Sequence, residues 1–308
     1  MKKNRFKHNV SKQEMHSIRM DNFIEKFPFG NKTKKEDIKE DISASSVKRA
    51  IDEAIKDTMM KSIRLNPGTK YTSDDNMSKR TDTKIGGIPY WPKEEEFPTY
   101  DGKPMLMLAQ LNFSKLPKLE GYPSSGIMQF FVYDIEYDNI GYYNTKVIYH
   151  KDIVSQEDML IDIPRSTVKP DKKLDEYPPI EGVYYPSTSI EDSYINPAAD
   201  EWDDRMLKAL NKEFNENWES LYRIPKNIYD LVWKNIPKDY YGCRIGGHPY
   251  FTQSDPRDPG KHDVLLVQLD SEAGMMWGDC GVANFFTSKE ALRSLNFENK
   301  VLFTWDCC

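Results

Sequence analysis

Four side chains in the last third of the chain combine one cation, two carboxylates and a flat aromatic. Asp255 and Arg257 stand in the run Thr252-Gln-Ser-Asp-Pro-Arg257, and Trp277 and Asp279 in Met275-Met-Trp-Gly-Asp-Cys280. A guanidinium is a planar fork for a carboxylate or phosphate, a carboxylate accepts hydrogen bonds, and an indole offers an apolar wall. Converging on one pocket, this set suits a small polar ligand. Kept apart, the same residues make a salt-bridged pair of turns. Gln268 and Asp270 join the set if the apolar run Asp263-Val-Leu-Leu-Val-Gln-Leu-Asp270 lies beneath those turns. The expected ligand-binding residues are therefore Asp255, Arg257, Gln268, Asp270, Trp277 and Asp279.

Catalytic templates are weaker. Asp255 and Asp279 are the acid/base candidates of a hydrolase or transferase, with His248 as a further proton carrier. Cys280 is a conceivable nucleophile with His248 as its base, but a buried structural cysteine is the favoured reading. The five histidines at 8, 16, 150, 248 and 262 and the four cysteines at 243, 280, 307 and 308 lack the spacing of a zinc or iron site. No metal, no cofactor and no catalytic residue is assigned. The glycine pairs in Gly86-Gly87 and Gly246-Gly247 open neither a Gly-Lys-Ser/Thr continuation nor a Gly-x-Gly-x-x-Gly, so phosphate-loop and dinucleotide signatures are absent. They read either as loops presenting backbone N–H groups to a ligand or as tight turns anchored by Tyr90 and Tyr250, the second being favoured. A glutamine inside an apolar strand, as at Gln110 and Gln268, either ties strands together or projects into a polar cavity, because an unpaired buried amide costs about 1–3 kcal/mol.

The elements that carry these residues are written twice. Lys84-Ile-Gly-Gly-Ile-Pro-Tyr-Trp91 returns as Arg244-Ile-Gly-Gly-His-Pro-Tyr-Phe251, and Met105-Leu-Met-Leu-Ala-Gln-Leu-Asn112 as the run ending at Asp270. Gly126-Ile-Met-Gln-Phe-Phe-Val132 matches Gly281-Val-Ala-Asn-Phe-Phe-Thr287, and Lys146-Val-Ile-Tyr149 matches Lys300-Val-Leu-Phe303. Four blocks in one order predict an internal duplication, repeat one at about 84–150 and repeat two at about 243–306. Strands are expected at 105–112, 127–134, 146–150, 264–270, 282–287 and 300–305. Amphipathic helices are expected at 47–63 and 201–221, one before each repeat, with short helices at 227–235 and after a capping box at Thr287-Ser-Lys-Glu290. The expected fold is α+β: internally duplicated β-rich units, each preceded by an amphipathic helix, packed as one compact two-lobed domain over 45–308. Residues 1–44 read as a polar extension, helical at most near 13–26.

Charge is spread unevenly. The net charge is −6, yet the first 50 residues hold 13 Lys/Arg against 7 Asp/Glu, leaving the remainder acidic. An acidic body is ill suited to neutralising phosphates, so no nucleic-acid partner is expected. Apolar runs of about five to six residues fall far short of the roughly 20 needed to cross a bilayer, and no apolar stretch follows the basic start as in a secretory signal. The cysteine usage fits a reduced, cytoplasmic protein without a membrane partner.

These blocks, with the terminal Trp305-Asp-Cys-Cys308, resemble the YwqG-like proteins of the domain of unknown function 1963. The resemblance covers about 45–308. It implies a bacterial cytoplasmic protein, brings no catalytic residues, and carries a link to toxin–immunity loci. The reading is a noncatalytic binding protein that takes a protein partner or small polar ligand in a cleft between the repeats. The alternative is the hydrolase or transferase built on Asp255 and Asp279.

Overall fold

Strands that are apolar on both faces need cover on both sides, and this requirement organises the chain. The structure, a computed structural model, describes residues 44–72, 79–133, 145–154 and 179–307. The expected polar extension, apart from Ala44, and its helix near 13–26 lie outside the described residues. In chain order the elements are α1 (Ala44–Ile55), β1 (Met60–Asn66), β2 (Lys70–Tyr71), β3 (Lys84–Gly86), β4 (Thr99–Tyr100), β5 (Lys103–Pro104), β6 (Leu106–Asn112), β7 (Ile127–Val132) and β8 (Thr145–His150). Then follow β9 (Val183–Tyr184), β10 (Ser187–Ser193), α2 (Trp202–Phe214), a 3-10 turn (Leu221–Arg223), α3 (Lys226–Asn235), β11 (Arg244–Gly246), β12 (Val264–Asp270), β13 (Val282–Thr287), α4 (Lys289–Ser294) and β14 (Val301–Asp306). Helices with antiparallel sheets make this an α+β fold.

Two six-stranded sheets form, in the orders β2-β9-β3-β6-β7-β8 and β10-β1-β11-β12-β13-β14. Each sheet borrows a strand from across the chain. β1 precedes β3 in sequence but pairs with β11, whereas β9 precedes β11 and pairs with β3. The short β1–β2 and β9–β10 connections therefore cross between the sheets and bind them together. β6 and β12 each shift register at one place, between Met107 and Ala109 and between Leu265 and Val267. The bulge turns two consecutive residues inward, so Leu108, Ala109, Leu266 and Val267 all enter the core between the sheets.

That core also takes Ile63 and Leu65 from β1, Phe130 from β7 and Phe285 from β13. Outside the second sheet, Leu265, Phe286 and Leu302 pack under α1, α2 and α3. Outside the first sheet, Met107 and Phe131 lie under the turn residues Trp91 and Phe97. α1 and α2 thus pack together over the second sheet, with Arg49 paired to Glu213 at 2.6 Å, instead of one before each unit in related positions. The aromatic turn already covers the first sheet's outer face.

The helix expected over 47–63 ends at Ile55. Thr58 closes it, its N–H and its hydroxyl both donating to the Ile55 carbonyl. Beyond it, Ile63 fits the helical period but belongs to β1, where pairing with both β10 and β11 outweighs the local pattern. The second helix stops at Phe214 instead of 221, because Asn215 adopts φ 53° and Asn211 turns back to bond the Trp218 backbone twice. At α4 the cap is Ser288, whose hydroxyl accepts the Ala291 N–H, while Thr287 stays in β13.

Candidate functional site

The two buried glutamines fix the glycine turns to the sheets. Gln268 Oε1 accepts the Tyr250 N–H at 2.8 Å, and its Nε2 donates to the Tyr240 and Gly242 carbonyls. Gln110 does the same for its own turn: Oε1 accepts the Tyr90 N–H, and Nε2 donates to the Arg80 and Asp82 carbonyls. Gln129 and Asn284, one strand over, donate to the Tyr90 and Tyr250 carbonyls. Every polar atom of both amides has a backbone partner, so the strand-tying expectation describes their geometry. Both residues of each glycine pair have positive φ, between 69° and 76°, a backbone region glycine enters without steric cost.

Gly246 matters for the site because the β6–β7 connection crosses over it. A Cβ there would stand 2.8 Å from Leu119 Cδ2. From that connection the Tyr122 hydroxyl donates to the Leu265 carbonyl at 2.6 Å, pinning a loop of the first sheet on β12 of the second. Burial pushes the Tyr122 phenol well above its ordinary value, so it stays a neutral donor.

This crossing forms one wall of a cleft of about 860 Å³. Its floor includes Leu119, Leu265 and Leu292, all buried. Its lip carries Met59, Met60 and Ile190 at 47%, 46% and 42% exposure, three large apolar side chains left in solvent at one place. Lys61 on the rim is paired across the sheet with Asp192. Lys118, Lys289 and Arg293 also line the cleft and form no ion pair among the described residues, while Glu120 and Asp263 are the acids in the lining. The arrangement is an apolar groove edged by three cations and two acids, none of them in an ion pair among the described residues.

None of the six residues nominated from sequence lines this cleft. Asp255 and Arg257 bind each other in a fork, 2.5–3.0 Å across three contacts, and the guanidinium lies over Phe251 and Phe286 at 5.8 and 5.5 Å. Gln268 is enclosed as described. Asp270 is buried, its carboxylate accepting the Gly242 and Ser271 N–H groups. Trp277 is buried against Phe303 and Trp305, and its backbone N–H donates to the Ser271 hydroxyl. Asp279 is exposed. His248 Nε2 lies 2.6 Å from the Thr58 carbonyl, which it meets as a donor. Among the described residues no group of three or more His, Cys, Asp or Glu could hold a metal ion, and no helix is long and apolar enough to cross a membrane.

Sequence reasoning missed the cleft residues because they come from six separate segments. Met59-Met60-Lys61 offered no signal either, because the helical pattern expected over 47–63 ran through it.

Residues 83–307 match the model of a family described as "Domain of unknown function (DUF1963)". No curated protein matches the chain.

Proposed function

The chain belongs to the family of the domain of unknown function 1963, and from that premise we propose that it is a noncatalytic binding protein whose cleft holds an acidic, apolar-bearing segment of a protein partner. One observation carries this reading: Met59, Met60 and Ile190 stand exposed at the mouth of a cleft edged by Lys118, Lys289 and Arg293. Exposed apolar side chains gain by being covered, and free cations on the rim steer and select acidic partners. The cleft's size also falls within the range of small-ligand sites; the exposed lip favours a longer, chain-like occupant.

We read the two units as an internal duplication. Support comes from equal strand orders, bulges at matching places and the paired Gln110 and Gln268 ties. A cytoplasmic location is part of the same proposal, supported by the free thiols of Cys243 and Cys307. Acid/base chemistry at Asp255 and Asp279 has less support. Arg257 engages both oxygens of Asp255, and Asp279 stands in solvent.

The test is a display library of random linear peptides panned against the intact protein. Enriched peptides are expected to interleave Asp or Glu with large apolar residues, and to lose about tenfold in affinity on Arg293→Glu or Met60→Asp. Enrichment of polar or basic peptides, or affinity indifferent to both substitutions, would overturn the reading.

A further inference from the structure

A second recess lies on the helical side of the molecule. It encloses about 200 Å³ between the N-terminal end of α2, the 3-10 turn, α3 and the turn at 253–255. Tyr222, Tyr229 and Trp233 supply its aromatic surface, and Asp200, Asp203 and Asp255 its carboxylates. Among the described residues no lysine or arginine lines it. The rings of Tyr229 and Trp233 are inclined at 54° with centroids 5.9 Å apart, so they form two walls instead of one stack. Tyr222 remains 44% exposed at the opening.

The charges around it are unevenly matched. Arg257 takes Asp255, Arg223 takes Glu219 and Lys226 takes Asp230. Those cations are committed to partners, two of them outside the recess, whereas Asp200 and Asp203 form no ion pair among the described residues. Asp203 lies near enough to Tyr222 and Tyr229 for its charge to raise both phenols, burial being the larger cause. Electron-rich ring faces beside carboxylates attract a cation whose charge is spread over alkyl groups. A strongly hydrated metal ion gains little from ring faces, and an anion is repelled.

We propose that this recess binds an alkylammonium group, either a free quaternary amine or a methylated lysine side chain. The site is separate from the cleft lined by Met60 and does not depend on its occupant. It also gives Asp255 a place at a site distinct from the one expected with Trp277 and Asp279. Its role there is indirect, since Arg257 holds its carboxylate.

The probes are choline, its neutral carbon isostere 3,3-dimethylbutanol, and the amide of Nα-acetyl-trimethyllysine, each titrated into the full chain. Binding is read from the indole N–H resonance of Trp233, assigned with Trp233→Phe. At least one of the two cations should produce a saturable shift, and the tighter of them identifies the source as a free amine or a protein side chain. Tyr222→Ala and Asp203→Asn, both at exposed positions, should each weaken it about five- to tenfold with an unchanged melting temperature. Binding of the isostere as tightly as choline would overturn the proposal, as would affinity unchanged in both variants. So would silence of both cations up to about 100 mM, far above the millimolar range of even weak sites.

Discussion

Phe130 and Phe285 meet edge to face between the two sheets, their ring centroids 5.0 Å apart and their planes at 62°. Each is the fourth residue of its strand and faces the bulged strand beside it, Phe130 opposite Ala109 and Phe285 opposite Val267. Both are fully buried. The contact joins the two sheets within one shared core.

Truncation at this contact should be costly. Phe130→Ala or Phe285→Ala is expected to lower the unfolding free energy by about 3–5 kcal/mol, the usual cost of a large cavity in a packed core. The double variant should fall short of the sum by about 0.5–1.5 kcal/mol, the share carried by the ring pair itself. Urea denaturation of the four proteins measures this. Strict additivity would mean that the rings touch without coupling.

Much of this architecture was legible because the signals were local. β12 and β13 match the expected 264–270 and 282–287, since each has a continuous apolar run ended by polar or glycine residues. The buried role of Gln110 and Gln268 was legible too, from an amide set among apolar neighbours. What sequence could not supply was pairing across distance. Ile63 extends a helical pattern and still becomes a strand, because β10 and β11 offer it partners from far along the chain. The cleft failed to register for the same reason. Met60, Tyr122, Ile190 and Leu292 have nothing in common until the sheets bring them together. The polar residues unique to the second unit did stand out, and several of them serve internal bonds.

Gln268 offers a sharp comparison with an exposed amide. Gln268→Leu keeps the size and removes three hydrogen bonds, leaving the Tyr250 N–H and the Tyr240 and Gly242 carbonyls without their partner. Stranded buried groups cost about 1–3 kcal/mol each where they cannot relax, so a loss of about 3 kcal/mol is expected. Gln253→Leu, on the surface, should change stability by no more than about 0.5 kcal/mol. Peptide binding in the cleft should survive both. A Gln268→Leu protein as stable as the parent would show that water or neighbouring groups replace the amide.

Arg64, buried, and Glu272, partly buried, form an ion pair at 2.7 Å, with the same guanidinium donating to the Leu65 and Cys243 carbonyls. Arg64 also lies directly opposite the buried Arg244 in the β1–β11 register. Removing the carboxylate leaves two guanidinium groups facing each other without it. Glu272→Ala should therefore cost about 3–5 kcal/mol, more than the pair is worth against an apolar replacement. Adding Arg64→Met to Glu272→Ala should recover part of that loss, because the uncompensated charge leaves with it. Thermal unfolding of both variants decides the matter: a double variant less stable than Glu272→Ala would assign the cost to lost packing and not to the stranded charge.

Three histidines among the described residues contribute to the pH response. Burial lowers the pKa of His150, His248 and His262 below the ordinary histidine value. For His262 the geometry agrees, since its Nδ1 accepts the Asp258 N–H at 3.1 Å and protonation would break that bond. With a folded pKa below the unfolded value of about 6.5, the unfolded chain takes up protons first. Stability contributed by the neutral rings is thus complete above about pH 6.5 and declines as pH falls through the interval toward the folded values. Carboxylates act in a lower window. Glu53, held at about 2 by Lys212 and Lys56, starts to lose its contribution only below its ordinary value of 4.5. Urea midpoints are therefore expected to be level from about pH 8 to 7 and to drop between about pH 6.5 and 5. His262→Asn, whose Oδ1 can still accept from Asp258, should make that drop shallower. A midpoint constant down to about pH 5, or a slope unaltered by His262→Asn, would remove His262 from the account.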